Sequence, residues 1–296
     1  MSVAATPTHR FLHPGWIEEF RDRGYTILRG VFTAAEIAEL KSAFDRAYEE
    51  GMRHHATWRH QNRLFWVNEH PDIGRFISGC QWQSWADPVL DRVRTDARMF
   101  AILQPLLGED IKQIINQMHW KVPGSRHTWG LHQDVRSRTP AHCFRNLGTS
   151  YVQTGLGIDR HRAGNGAMKL LPFSHLRGNL MIDNGVARFD DTREEAVAQA
   201  GFDPARLIDC ELDEGDLGVW GPYLIHGGGI NSSMDSYRRL YINGYVRAAD
   251  CDRGQPAFHH GKPVPLRIPA LIQYEDLYVR PDPHYPCDRA SLLQRD

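Results

Sequence analysis

No stretch of 18 apolar residues occurs in the 296-residue chain, so no segment has the length of a membrane-spanning helix. Residues 1–10 also lack the apolar centre of a secretory signal. Cysteine is scarce. Cys80, Cys143, Cys210, Cys251 and Cys287 are widely spaced and form no C-x-x-C pair, which excludes a cysteine zinc knuckle and fits reduced thiols. Charge of one sign is missing as well: 35 basic residues face 36 acidic ones for a formal balance of −1, which gives nucleic acid or an anionic membrane nothing to bind. Internal repeats and low-complexity tracts are absent. What remains is a chain expected in the cytoplasm with a small molecule as partner, 41% hydrophobic and long enough for one large β-rich domain with helical additions. Nothing in the sequence sets its oligomeric state.

Histidine is plentiful, 16 in all, and one of these opens the triplet His132-Gln133-Asp134. His132 and Asp134 are two apart, so on an extended backbone both side chains leave one face and reach the same metal ion. A candidate third ligand is His226, 92 residues beyond Asp134 (226 − 134), in Tyr223-Leu224-Ile225-His226-Gly227. Glu214-Gly215-Asp216 signals a turn and Leu217-Gly218-Val219-Trp220 is largely apolar, which puts His226 where a buried strand re-emerges. Two imidazoles and one carboxylate on one side of a first-row metal form the facial triad of non-haem Fe(II) oxygenases, with the remaining positions open. An H-x-D triplet alone arises by chance in a chain with this much His, Asp and Glu. Arg238, twelve residues past His226 (238 − 226), shares a strand face with Leu240 and Ile242. That face aims a guanidinium among apolar side chains, which is costly unless it meets an anion. Alternatively, Arg238 and Arg239 begin the strand at its wet end and both face water.

Four segments in order carry a resemblance: the HQD triplet, the run Asn165 to His175 (NGAMKLLPFSH), Glu214-Gly215-Asp216, and IHGGGINSS at 225–233 followed by Tyr237-Arg238. From about Trp16 to about Arg247 the chain resembles the phytanoyl-CoA dioxygenase family of Fe(II)- and 2-oxoglutarate-dependent oxygenases. The resemblance implies a mainly β fold with flanking helices, a double-stranded β-helix or jelly-roll barrel with the helices packed on one sheet. It implies Fe(II), 2-oxoglutarate and O2 as cofactor and co-substrates. His132, Asp134 and His226 would ligate the iron, Arg238 would pair with the distal carboxylate of 2-oxoglutarate, and Gln133 and Gln117 would line the co-substrate pocket. The implied activity is hydroxylation of an unactivated C–H bond of a small molecule, with release of succinate and CO2. Related halogenases lack the carboxylate ligand, whereas Asp134 is present; desaturation, epimerisation and ring closure use the same residues and stay open, as does the substrate.

Two positions depart from the family pattern. Gly155 stands where many members carry Trp, which would enlarge or reshape the pocket, and Phe173 stands where the turn before Ser-His usually has Gly. Lys121 resembles a lysine common in the family, or else ends its strand in water. Two readings from other classes remain beside the oxygenase: a zinc hydrolase on the same two His and one Asp, which has no use for Arg238, and a silent jelly-roll binding module, which should have lost a ligand.

Organisation follows from periodicity and punctuation. Residues 11–107 read as a mainly helical part: a helix around Trp16, Ile17 and Phe20, an extended Tyr25–Leu28, a helix opened by a Thr33/Glu36 capping box with Ile37, Leu40, Phe44, Ala47 and Tyr48 on one face, and a last helix from Asp96 to Leu107 burying Phe100, Leu103, Leu106 and Leu107. The His-, Arg- and Trp-rich stretch 51–96 is expected to be a helical layer with Trp66 and Trp85 in the core, or else a pocket wall. His54-His55 and His259-His260 are expected to be solvated, since neighbouring rings on an extended or helical backbone diverge. Residues 111–247 form the jelly-roll core, with strands expected over Ile111–Val122, Ser150–Asp159 and Ala167–Leu171. An insertion at 178–209 contains a short helix capped by Thr192 and Glu195 and is either a lid or a surface decoration. Residues 252–296 hold seven of the 17 prolines and read as a wrapping tail anchored by Leu271, Ile272, Tyr274, Leu277 and Tyr278. Arg126, Arg136, Arg138 and Arg145 flank the HQD triplet. Arg136 and Arg138 above all would suit an anionic substrate group such as a carboxylate, phosphate or phosphonate, unless they are solvated.

Overall fold

The computed structural model describes residues 10–60, 62–180, 182, 187–266 and 284–286. In chain order the elements are α1 (Trp16–Arg23), β1 (Tyr25–Leu28), α2 (Ala34–Met52), β2 (Trp58–His60), β3 (Arg63–His70), β4 (Gly74–Gln81), α3 (Pro88–Arg94), α4 (Ala97–Leu107), β5 (Ile111–Lys121), β6 (His127–Trp129), α5 (Leu147–Ser150), β7 (Tyr151–Gly157) and β8 (Met168–Leu171). There follow β9 (Ala187–Phe189), α6 (Glu194–Gln199), β10 (Ile208–Cys210), β11 (Leu217–Trp220), β12 (Ile225–Gly228), β13 (Arg238–Arg247), β14 (Gln255–His259), β15 (Lys262–Pro263) and β16 (His284–Pro286). The large sheet runs β1-β11-β7-β13-β5-β4-β3-β2-β16, with β14 also on β5 and β15 on β14; a small sheet β10-β8-β12 faces it, and β6 pairs with β9. This is the jelly-roll of two facing antiparallel sheets expected from the sequence.

Strand alternation builds two cores. On β13, Tyr241 and Tyr245 point outward under the helices, while Leu240 and Ile242 point into the roll. The outer core sets Ile37, Leu40 and Phe44 of α2 and Ile102 and Leu103 of α4 against Met118, Trp120, Tyr241 and Tyr245, each large apolar side chain contributing roughly 1.5–3 kcal/mol by burial. The helix that covers the sheet starts where the sequence says: Thr33 accepts from the Glu36 N–H while the Glu36 carboxylate accepts from the Thr33 N–H. In α4 the buried stripe is Met99, Ile102, Leu103 and Leu107, turned slightly from the expected one, with Phe100 and Leu106 only partly covered. Among the described residues no helix is long and apolar enough to cross a membrane.

Two expectations are corrected. Residues 58–81 are β2, β3 and β4, which extend the large sheet beyond β5 rather than forming a helical layer. Trp66 is buried there and Trp82, not Trp85, is the fully buried ring. The short helix α6 has Arg193 in left-handed conformation at its N-cap and no side-chain cap; the Thr192 hydroxyl reaches Glu194 instead. Leu271, Ile272, Tyr274, Leu277, Tyr278 and Cys287 lie outside the described residues.

Candidate metal centre and co-substrate pocket

Three glycines make the centre possible. A Cβ on Gly227 would stand 2.9 Å from the Leu131 nitrogen and 2.9 Å from the Trp129 oxygen, and one on Gly229 2.5 Å from the Ala167 oxygen. The bare backbone after His226 therefore lets residues 129–132 lie directly on β12. His132 and His226 exchange both backbone hydrogen bonds, at 2.8 and 3.0 Å, and their rings stand 4.4 Å apart.

Asp134 completes the set. Its Oδ1 lies 4.0 Å from His132 Nε2 and its Oδ2 3.7 Å from His226 Nε2, and the three ligand atoms fall within 4.8 Å of one another. The ring orientations are fixed from behind: Nδ1 of His132 faces the Gly130 carbonyl at 2.7 Å and Nδ1 of His226 faces the Leu224 carbonyl at 3.0 Å. With each Nδ1–H donated to a carbonyl, both Nε2 lone pairs aim at Asp134, the arrangement that orients metal-bound imidazoles. Burial and the neighbouring His226 push His132 down to about 4, so it is neutral at pH 7. Burial pushes the Asp134 carboxyl up, but His226, Arg138, His132 and the Trp220 N–H together hold it below the ordinary carboxylate range. Two imidazoles and one carboxylate converging in this way fit a first-row divalent metal ion on one side and leave its other side open.

The second part of the site is a pair of buried cations. Arg238 and Lys121 are register partners on β13 and β5 and are 2% and 1% exposed. Arg238 Nε donates to the Gly166 carbonyl at 2.9 Å, in the Asn165-Gly166 turn. Lys121 Nζ donates to the carbonyls of His127 and Gly229 at 2.5 and 2.6 Å. Neither has an acidic partner within ion-pair distance among the described residues. Burial, against the weak pull of Cys210 and Asp159, lowers Arg238 to about 10; burial and then Arg238 bring Lys121 well below its ordinary value. Arg239, one residue on, faces the other way onto Asp159 and Asp45. The alternative that Arg238 and Arg239 both face water, and that Lys121 ends its strand in water, is thereby overturned. Two cationic side chains buried side by side are costly unless an anion meets them.

The remaining predicted site residues fall elsewhere. Gln133 is fully buried with its amide engaged by backbone: Nε2 donates to Gly178 and Tyr223 carbonyls and Oε1 accepts from the Leu180 N–H. It ties the His132 segment to the backbone at Gly178–Leu180 and at Tyr223, ahead of His226. Gln117 does face the interior, half-buried, its Oε1 3.1 Å from His119 Nε2. The arginine cluster is dispersed. Arg126 pairs with Asp190 and Arg145 with Asp252, Arg136 is half-buried, and Arg138 is buried with Nη2 3.5 Å from Asp134 Oδ1 and 2.5 Å from the Tyr151 hydroxyl.

Trp220 is the residue that sequence reasoning missed. Its Nε1–H donates to Asp134 Oδ2 at 3.1 Å, a role an apolar strand pattern does not reveal. Its ring also accounts for Gly155, since a Cβ there would meet Trp220 and Leu240 carbons at 3.1 Å; the space is filled from the neighbouring strands. On the far side of Lys121 the inner face continues through Gln81 and Gln117, then His119, Trp66 and Trp129, whose rings stand 5.2 to 5.9 Å apart.

Comparison with known proteins agrees with this geometry. No curated protein matches the chain significantly. Among solved structures, the epimerase SnoN in complex with Fe3+, alpha ketoglutarate and nogalamycin RO is 18% identical, covering 88% of this chain and 94% of its own, with a TM-score of 0.58. EvdO2 from Micromonospora carbonacea var. aurantiaca complexed with 2-oxoglutarate is 22% identical over 90% of this chain and 98% of its own, TM-score 0.57. EctD from S. alaskensis with 2-oxoglutarate and 5-hydroxyectoine is 17% identical over 90% of each chain, TM-score 0.63. The family model for phytanoyl-CoA dioxygenase matches residues 20–240, most of the chain, and this protein belongs to that family.

Proposed function

We propose that the protein is an Fe(II)- and 2-oxoglutarate-dependent oxygenase that hydroxylates an unactivated C–H bond of a small molecule, with release of succinate and CO2. The observation that carries the reading is the pair Arg238 and Lys121, buried with no acid at ion-pair distance among the described residues, in a fold that also brings two His and one Asp together. A zinc hydrolase needs the metal ligands but gives these cations nothing to do, whereas a dicarboxylate co-substrate neutralises them.

His132 and His226 would hold the metal through Nε2 and Asp134 through one oxygen, while Trp220 and Arg138 keep that carboxylate in place. Arg238, supported by Lys121, would take the distal carboxylate of 2-oxoglutarate in a charge-assisted pair. Bound together, iron and 2-oxoglutarate supply the activation of dioxygen and the oxidising power that no side chain has. The wall of Gln81, Gln117, His119, Trp66 and Trp129 lies where the organic substrate would pack, aromatic faces with a few fixed polar groups. Arg136, half-buried two residues after Asp134, would meet an anionic substrate group. The solved relatives include an epimerase, and a carbocyclase, SnoK, from nogalamycin biosynthesis; insertion of oxygen is preferred here because it is the simplest outcome of the same residues.

Succinate formation by anaerobically prepared protein given Fe(II), 2-oxoglutarate and then oxygen tests this. Slow turnover should appear without added substrate, vanish in His132→Ala and weaken mainly in the 2-oxoglutarate KM in Arg238→Ala. Absence of succinate, together with failure of 2-oxoglutarate to bind the metal-loaded protein, would sink the reading.

A further inference from the structure

A second group of metal-ligating side chains lies far from the first. Asp110 ends the turn before β5, and the β14–β15 hairpin carries His259, His260 and Gly261. On an extended or helical backbone the two imidazoles would diverge, but His260 is in neither: its φ is 48°, the left-handed region that His enters more readily than most residues. That turn corrects the expectation that the two rings diverge, while both stay solvated as expected. It brings them to 4.0 Å between centroids, on either side of one carboxylate.

His259 Nδ1 lies 2.8 Å from Asp110 Oδ1 and His260 Nδ1 3.9 Å from Oδ2, and one ligand atom from each residue falls within 4.8 Å of the other two. Ligand atoms at the corners of a tetrahedron with bonds of about 2.1 Å stand about 3.4 Å apart. The two separations fall on either side of that value, so small side-chain rotations admit an ion with no change of backbone. The frame is already fixed: the His260 N–H donates to Asp110 Oδ1 at 2.8 Å and the Gly261 N–H to the Glu109 carbonyl at 3.1 Å. The His260 N–H, and then the His259 imidazole, hold the Asp110 carboxyl below its usual range. His259 and His260 side chains are 66% and 72% exposed, so an ion reaches them freely and water completes its shell.

We infer that Asp110, His259 and His260 form a second, surface site for a borderline divalent cation, Zn(II), Ni(II) or Cu(II), for which imidazole and carboxylate are suitable ligands. Asp110 immediately precedes β5 and Lys121 ends it, so the strand separates this site from the barrel centre by roughly 30 Å. Bound there, the ion fastens the hairpin to the turn that launches β5.

The test uses the full chain carrying His132→Ala and Asp134→Ala, titrated calorimetrically with Zn(II) and separately with Ni(II). One equivalent should bind, with a rise in melting temperature. Adding His259→Ala and His260→Ala should remove both the equivalent and the rise. No binding by the first variant, or an unchanged equivalent in the second, overturns the inference. Should loss of the barrel ligands unfold the protein, His259→Ala with His260→Ala in the otherwise unchanged chain gives the same answer: one equivalent fewer and unaltered succinate formation support the site, unchanged stoichiometry refutes it. The triad-deficient protein reports on this site alone, so failure of the oxygenase reading leaves the outcome unmoved.

Discussion

Replacing Arg238 by methionine should make the protein more stable and less able to bind 2-oxoglutarate. The guanidinium is 2% exposed and burial pushes its pKa down from the ordinary guanidinium value to about 10. A difference of that size corresponds to about 3 kcal/mol against the charged form. Methionine keeps much of the volume, removes that penalty and relieves the repulsion that Lys121 feels, but it gives up the hydrogen bond to Gly166, a loss of about 1 kcal/mol. The balance favours the variant by about 1–2 kcal/mol, a rise of about 2–6 °C in melting temperature for a chain of this size. Binding moves the other way. Loss of a bidentate charge-assisted contact of about 3 kcal/mol weakens 2-oxoglutarate by about 100-fold. Thermal unfolding of the Ni(II)-loaded parent and variant, with and without 2-oxoglutarate, separates the two effects. A variant that melts below the parent without 2-oxoglutarate, or that 2-oxoglutarate protects as strongly as the parent, would refute the argument that this cation is held in readiness for an anion.

Trp220→Phe deletes the N–H on Asp134 Oδ2 and the outer part of a fully buried indole; metal affinity measured by titration should fall about 10-fold or more, with stability lowered by about 1–3 kcal/mol through the void left beside Gly155. Gly227→Ala forces a methyl group against backbone atoms at 2.9 Å and should destabilise by about 2 kcal/mol or more, with metal affinity lost in proportion. Phe173 holds φ 67° and is 42% exposed, so Phe173→Gly, the residue usual in the family, should stabilise by about 1 kcal/mol in denaturant unfolding. The Glu36 carboxyl is lowered to about 2, first by Arg98. A depressed folded-state value stabilises above the unfolded value near 4.5 and the gain disappears as pH falls from there toward 2. Because the pair is largely solvated, Glu36→Gln should lower stability at pH 7 by only about 0.5–1 kcal/mol, and parent and variant should converge near pH 2.

The convergence of the candidate ligands was legible because it needs a fixed arrangement: a two-residue spacing for His132 and Asp134, and a turn and an apolar strand ahead of His226. The capping box of α2 was equally plain, a local device needing only Thr33 and Glu36. What misled was burial on both faces. In β3, Leu64 and Trp66 face the interior while Phe65 faces the helices, so the run shows no alternation and resembles any buried segment. The arginines misled for another reason: whether Arg138 meets solvent, a substrate or Asp134 depends on the turn at 134–137 and on Tyr151, which sequence spacing does not connect. Lys121 was ambiguous until the register placed it beside Arg238. The adjacent histidines of the hairpin depended on a single left-handed residue.

The glycines at 227–229 also bear on how the centre responds to heat. His132 and His226 are aligned by two backbone hydrogen bonds and by direct contact of main chains where Gly227 and Gly229 carry no side chain. Thermal loosening of rotamers acts first on side-chain packing, so the distance between the two imidazoles should persist while the surrounding aromatic wall softens. Warming would then blur the choice of substrate before it releases the metal.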